Sequence, residues 1–331
     1  MKFFKVYLEN AGGDQICMTA TAQKYMISEI DGLCPPTAVL STAGYAGTDG
    51  SYLTNAYIDK RNIVITFYMS GVGDTEQRRQ ELYSVVQPSK YIKMYYYTRR
   101  RKVYAEGYVE SMTISNFVSG VNGQISILCP DLYWHGVEAA TYSTADSETD
   151  VTANFYYTFP NSSWYTNDDG YEETQIAVAE STAAFESDTV TASASLTIDN
   201  DGDEYGFVMR LINGNEHDAN FDKIIITNET AGQTMTIDYS EYGYVEIGED
   251  GGYLVIDTIA GEKDIHRWSH TGIDKGSYMR YFDFSVSDWL TLVHGENVIT
   301  VTVTVSTSSY TYGVLETLSF EIDYQPVYLG V

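Results

Sequence analysis

Apolar and polar residues alternate with a period of two along most of this chain, in short runs separated by Gly, Asn and Asp. The cleanest run is VITVTVTV, in which every second residue from Val301 on is a valine and the residues between are threonines. Side chains on a strand point alternately to its two faces, so such a run predicts a strand with one face in a core and the other in contact with water. Further β-rich runs fall at residues 3–8, 62–68, 92–97, 103–115, 124–128, 151–159, 192–198 and 207–211. They continue at 223–227, 233–237, 253–257, 278–286, 298–306 and 317–324. Many short strands between turn residues predict a mainly β chain built as sandwiches or barrels. No repeat of fixed period is visible, which argues against solenoids and propellers.

One segment departs from this pattern. Across residues 74–88, DTEQRRQELYSVVQP, the apolar residues Leu82, Val85 and Val86 recur at helical spacing. Asp74 is placed to cap the helix, Gln77 follows three residues later, and Pro88 ends it. The spacing predicts one amphipathic helix covering a sheet, with Arg78 and Arg79 beginning its exposed side. A small, polar and acidic stretch at 136–150, GVEAATYSTADSETD, reads as a linker or surface excursion.

Charge divides the chain at the same place. Residues 1–135 hold 13 Lys+Arg and 12 Asp+Glu, while 136–331 hold 6 and 34, within a total net charge of -27. So uneven a balance predicts two domains facing different surroundings, 1–135 and 151–331, joined by the linker. An acidic half is a poor partner for nucleic acid, because phosphate contact needs a basic surface. No apolar run approaches the roughly 18 residues that span a bilayer, and the start of the chain lacks a signal-peptide core. The chain therefore reads as one made in the cytosol, with no membrane partner. Thirty tyrosines suit half-buried sheet faces and contact surfaces.

Candidate chemistry is sparse. Cys17, Cys34 and Cys129 form no CxxC pair and read as free thiols. His266 and His270 have i,i+4 spacing without the glutamate of a zinc-protease motif, and they read as surface histidines with His135, His217 and His294. The acidic run Asp199-Asn200-Asp201-Gly202-Asp203-Glu204 has its glycine at the fourth position and no ligand at the twelfth, so it reads as a solvated turn and not a calcium loop. No phosphate loop, nucleophile elbow or dinucleotide fingerprint is present, and nothing nominates a catalytic triad. The reading is of a chain that is not an enzyme, with no cofactor and no metal. Arg99, Arg100, Arg101 and Lys102 fall between two predicted strands and so form a hairpin tip. Four adjacent cations flanked by tyrosines can meet an acidic partner, a neighbouring subunit or nucleic acid, or stay solvated.

The order of these turns and strands resembles the siphovirus distal tail protein family. In the first half the resemblance rests on IDGLCPP at 30–36, YIDKRNI at 57–63, the helix, the strand pair around the arginines, and ILCPDLYW at 127–134. In the second half it rests on IDNDGD at 198–203, ITNETAG at 226–232, LVIDT at 254–258 and LVHGENVI at 292–299. His294 stands where the family usually has proline, and Gly206-Phe207 where a proline often follows the first turn.

The resemblance implies an N-terminal β-sandwich or split-barrel domain with one α-helix and a C-terminal galectin-like β-sandwich. It further implies a homohexameric ring at the virion tail tip, assembled in the host cytoplasm, joining the tail tube to the baseplate hub. The implied partners are the tail tube protein, the tape-measure protein, a tail-associated lysin or hub protein, and a receptor-binding protein. The expected interface residues are Arg99, Arg100, Arg101, Lys102, Arg78 and Arg79. The competing reading is a carbohydrate-binding module, for which Trp164, Trp268 and Trp289 are the candidate contacts.

Overall fold

The computed structural model describes residues 4–19, 25–69, 75–115, 121–143, 156–157, 189–238, 243–306 and 318–331. In it most of the alternating runs become strands in which every second side chain is buried. Arg61–Met69 is the clearest case, with Ile63, Ile65, Phe67 and Met69 all inside. Residues 1–139 with 325–331 make one compact unit, and 140–324 make the second.

The first unit contains β1 (Lys5–Asn10), β2 (Gln15–Cys17), β3 (Tyr25–Asp31), β4 (Val39–Gly44), β5 (Ser51–Tyr57) and β6 (Arg61–Met69). The helix α1 (Thr75–Val85) follows, then β7 (Tyr91–Tyr97), β8 (Lys102–Ile114), β9 (Val121–Cys129) and β10 (Trp134–Gly136). An antiparallel sheet runs in the order β2-β1-β7-β8-β9-β6-β3, so β3 forms one edge. Leu82, Val85 and Val86 of the helix region pack into the core that holds Val6, Leu8, Ile92 and Met94. The amphipathic face is thus the predicted one, while the cap assigned to Asp74 lies outside the described residues. Among the described residues, the strands β4 and β5 pair only with each other and stand as a separate two-stranded sheet.

The second unit is a sandwich of two main sheets with a small two-stranded sheet beside them. Its strands are β11 (Ala140–Ser143), β12 (Tyr156–Tyr157), β13 (Thr189–Asn200), β14 (Val208–Asn213), β15 (Ala219–Phe221), β16 (Lys223–Asn228), β17 (Gln233–Asp238) and β18 (Val245–Ile247). They continue as β19 (Tyr253–Asp257), β20 (Asp264–Trp268), β21 (Asp274–Ser277), β22 (Gly295–Ser306) and β23 (Leu318–Tyr324). One main sheet runs β11-β23-β14-β19-β20-β21 and the other β12-β13-β22-β16-β17, while β15 pairs with β18 in the small one. Leu211, Leu254 and Phe320 of the first meet Ile226, Val301 and Val303 of the second in one core. The chain then returns to the first unit as β24 (Val327–Tyr328), which pairs with β10.

Four fully buried asparagines pin the turns of this sandwich, Asn200, Asn213, Asn228 and Asn297. Asn228 donates to the Thr291 carbonyl at 2.7 Å and to Asn297 Oδ1 at 3.0 Å, and its own oxygen accepts the backbone N–H groups of Thr230 and Ala231. Asn200 donates to the Leu292 carbonyl at 2.9 Å and accepts from the Gly202 N–H at 2.7 Å. A buried amide must be paired, and here both ends are. The acidic turn read as solvated therefore has a buried asparagine at its centre.

Two expectations are corrected. The apolar run 278–286 is not a strand: it forms the short 3-10 turn Met279–Tyr281, buries Tyr281 and Phe282, and exposes Phe284 and Val286. Asp283 fixes the loop by accepting the Ser285 N–H at 2.9 Å, so the aromatic residues anchor a loop instead of a sheet. The last seven residues, placed by charge and order with the second domain, belong to the first unit. Within 136–150, Ala140–Ser143 is a strand of the second unit paired with β23, and 144–150 lie outside the described residues. The run 151–159 is described only at Tyr156–Tyr157.

Candidate assembly surface

The arginine hairpin forms where predicted, between β7 and β8. Thr98 builds the tip: its N–H donates to the Arg101 carbonyl at 2.8 Å, and its Oγ1 accepts the N–H of Arg101 at 3.0 Å and of Arg100 at 3.3 Å. The four cations then part company. Arg101 lies 4.4 Å from the ring centroid of Tyr328, and Lys102 pairs with Glu138 at 2.8 Å. Arg99 and Arg100 are exposed and face a groove instead.

That groove has a volume of about 850 Å³ and a half-buried apolar floor of Phe4, Ile27, Ile30, Leu33 and Tyr96. Phe4 and Tyr96 hold each other with ring centroids 6.1 Å apart. Ile27 and Ile30 come from the edge strand β3, while Tyr96 comes from β7 and Phe4 precedes β1, so strands distant in the sheet order line one groove. Glu29, Arg99 and Arg100 supply charge at the rim.

The outer face of β1, β7 and β8 is paved with tyrosine. Ring centroids lie 5.6 Å apart for Tyr7 and Tyr97, 6.0 Å for Tyr95 and Tyr97, and 5.9 Å for Tyr95 and Tyr104. His135 stacks on Tyr104 at 5.4 Å, and the Lys93 ammonium sits 3.6 Å from the Tyr104 centroid while pairing with Glu106 at 2.9 Å. Burial, with Glu106 beside it, pushes the Tyr91 hydroxyl well above its ordinary value, and burial raises Tyr95, Tyr96 and Tyr97 as well. These phenols stay neutral at any working pH. They offer wide, rigid, amphipathic contact area, the composition that protein interfaces favour.

Below the β4–β5 hairpin sits a buried cation that the sequence did not single out. Arg61, only 1% exposed, donates to four backbone carbonyls: Gly32, Cys34, Leu132 and Leu329. Gly32 adopts φ 89°, a conformation that favours glycine and turns its carbonyl toward the guanidinium. The Val331 N–H also donates to the Leu33 carbonyl at 3.0 Å. Burial lowers the Arg61 pKa, with Cys129 and Asp131 opposing the shift. Its neighbour Cys129 is a buried thiol pushed up to about 12 by burial and so is inert as a nucleophile.

The remaining candidates are dispersed. Arg78 and Arg79, expected to begin the exposed side of the helix, are half-buried; Arg79 pairs with Glu76 at 3.0 Å, and the Arg78 carbonyl accepts the Tyr25 hydroxyl at 2.9 Å. Burial raises that Tyr25 hydroxyl to about 12. Trp268 is half-buried and lines a second-unit pocket of about 290 Å³ with Arg267, Glu246 and His270, where Arg267 and Glu246 form an ion pair at 2.5 Å. Trp289 is not in that pocket: it stacks on Phe282 at 4.8 Å and packs against the core. Trp164 lies outside the described residues.

His266 is a strand residue held between Asp264 and Asp274, and His270 follows in a turn, so their i,i+4 spacing is not helical. Among the described residues no group of three or more His, Cys, Asp or Glu is placed to hold a metal, and no helix is long and apolar enough to cross a membrane.

Residues 21–129 match the family model of the phage tail protein RIFT-related domain. No curated protein sequence matches the chain. Among solved structures, the chain is similar to the crystal structure of SPP1 Dit (gp 19.1), described as a paradigm of the hub adsorption apparatus in phages infecting Gram-positive hosts. That match covers 92% of this chain and 98% of that one, at 13% identity and a TM-score of 0.54. Chains of the phage P2 baseplate in its activated conformation, with Ca and with Sr, match at 11% and 12% identity, over 91% and 92% of this chain and 98% of those, with TM-scores of 0.37 and 0.38. The resemblance to siphovirus distal tail proteins read from the order of turns and strands is upheld by the tail-protein domain model and by the SPP1 Dit fold.

Proposed function

We propose that this chain, which carries a phage tail RIFT-related domain within a Dit-like fold, is a non-enzymatic structural protein of a phage tail tip. In this reading six copies form a ring through the first unit, joining the tail tube to the baseplate hub. The observation that carries it is the coincidence of the tail-protein domain at 21–129 with the groove, its Arg99–Arg100 rim and the tyrosine-paved face. A ring closes when one patch meets a different patch on the next copy, and these features give unlike surfaces on one unit. The tail tube and tape-measure proteins would then lie to one side, and a lysin-bearing hub and receptor-binding protein to the other. Assembly takes place in the host cytoplasm, and the second unit acts as a galectin-like scaffold.

Negative-stain imaging and mass photometry of the purified chain test this. A six-fold ring is expected, and changing Arg99, Arg100 and Arg101 together to Glu should weaken it. A chain that stays monomeric at every concentration and salt would overturn the reading.

A second reading, a carbohydrate-binding module, has the Trp268 pocket on its side, since a half-buried indole beside an ion pair is a surface that sugars can stack on. Binding on a glycan array that is lost in Trp268→Ala would favour it.

A further inference from the structure

Among the described residues, the β4–β5 hairpin pairs with no other strand. Its strands pair only with each other, and Val39, Leu40, Tyr45, Tyr52, Leu53 and Tyr57 are all exposed, Leu40 by 63% and Leu53 by 57%. The register, with its bulge between Ser41 and Thr42, places Val39, Tyr52 and Tyr57 on one face and Leu40 and Leu53 on the other, so neither face is wholly polar. Between residues 33 and 58 the sole charged side chain is Asp49, in a chain that is 20% charged. Depletion of charge with enrichment in tyrosine and leucine marks a surface meant for burial. A lone two-stranded hairpin is marginal in water, so an apolar surface that covers it adds to its stability.

The root of this hairpin is rigid. Arg61 clamps the Gly32 and Cys34 carbonyls, and Val331 holds Leu33, so the arm projects from a fixed base. That base lies beside the groove, because Leu33 itself lines it. The arm does not fill its own groove, since its apolar side chains stay exposed. The groove and the arm match in character: an apolar floor for leucine and tyrosine, and two free arginines at the rim for the single carboxylate, Asp49, of the hairpin turn.

We infer that the arm of one copy seats in the groove of the next. The face bearing Leu40 and Leu53 meets the neighbour's Ile27, Ile30, Leu33 and Tyr96, with Asp49 toward its Arg99 and Arg100. The contact joins unlike patches related by a rotation, which is the kind that closes into a ring. This inference rests on the ring reading above and names the element that closes it.

The test uses the full chain with Cys17 and Cys34 changed to Ser and two cysteines introduced, Leu53→Cys and Ile30→Cys. Oxidation should give a ladder of disulfide-linked multimers up to the ring order, while either cysteine alone gives nothing beyond dimers. In parallel, Leu40→Asp with Leu53→Asp should raise the concentration needed for assembly by roughly tenfold or more. Below the concentration at which the wild type assembles, its melting temperature should match that of the wild type, because among the described residues the arm's strands pair only with each other. Rings that form at wild-type concentrations in the aspartate variant, or a disulfide confined to single chains, would overturn the inference, leave the ring reading intact and assign the arm to a different tail protein. A wild-type chain that never assembles would remove both.

Discussion

The two units handle buried polarity and surface charge in opposite ways. The first unit has 13 cations and 13 carboxylates over residues 1–139, none in 325–331, and is held by one buried arginine reaching four carbonyls. The second has 6 cations and 33 carboxylates over residues 140–324, and is pinned by four buried asparagines. Of the large apolar side chains exposed among the described residues, those of the first unit include the six on the β4–β5 hairpin, whereas the second exposes only Tyr244, Ile273, Phe284 and Val286. A neutral body with exposed leucine and tyrosine can bring copies together. A body carrying a net charge of -27 keeps copies apart unless its charge is screened.

The largest test of this contrast is Arg61→Leu. It leaves four carbonyls buried without their donor and should cost about 3–5 kcal/mol. Differential scanning calorimetry should show the first unit's transition falling sharply while the second unit's stays in place. A single shared transition in the wild type would show that the two units are not independent in stability.

Asn228→Ala is the counterpart in the second unit. Removing both ends of a buried amide should cost about 2–3 kcal/mol and shift only the second transition.

Ionic strength probes the charge difference. If six copies assemble through the neutral unit, their acidic units repel one another, so assembly should tighten several-fold between low salt and about 0.15 M, where the Debye length falls to about 8 Å. Sedimentation at several salt concentrations would show this, and assembly indifferent to salt would count against the acidic unit opposing it.

The smallest effect lies with Asp131. Burial pushes its carboxyl up, yet hydrogen bonds from His135 and from the backbone of Tyr133 and Leu132 outweigh this and hold it below the ordinary aspartate value. A group depressed in the folded state contributes stability above its unfolded pKa, about 3.9, and loses it as pH falls through the lower folded value. The first unit's melting temperature should therefore hold down to about pH 4 and decline below it. In Asp131→Asn that decline should be shallower.

Much of the architecture was legible in the sequence because burial on one face leaves a period. The buried run Ile63, Ile65, Phe67 and Met69 and the valines at 301, 303 and 305 announce their strands, and Leu82, Val85 and Val86 announce the helix. The β4–β5 hairpin was not announced, because a strand exposed on both faces has no alternation to read. Its signal was the near-absence of charge between Gly32 and Asp59, where Asp49 stands alone. The buried asparagines look like ordinary turn residues in a sequence, since only the fold decides whether an Asn amide meets water or a carbonyl. Arg61 was equally silent: its partner Leu329 is 268 residues away. Of the arginine tip, the position was legible, but the division of its four side chains between Tyr328, Glu138 and the groove was not.

The return of β24 to β10 makes the second unit a passenger in the coding order. A ribosome delivers residues 140–324 before it delivers the strand that completes the first sheet, so the sandwich has its whole sequence available while its host is still missing an edge. The two connecting strands run side by side, with Gly136 bonded to Pro326 at 2.7 Å and Ala140 opposite Tyr324. A chain that leaves and re-enters at one point can accept a different cargo there, and a lineage can exchange what it carries while the body that carries it is inherited unchanged.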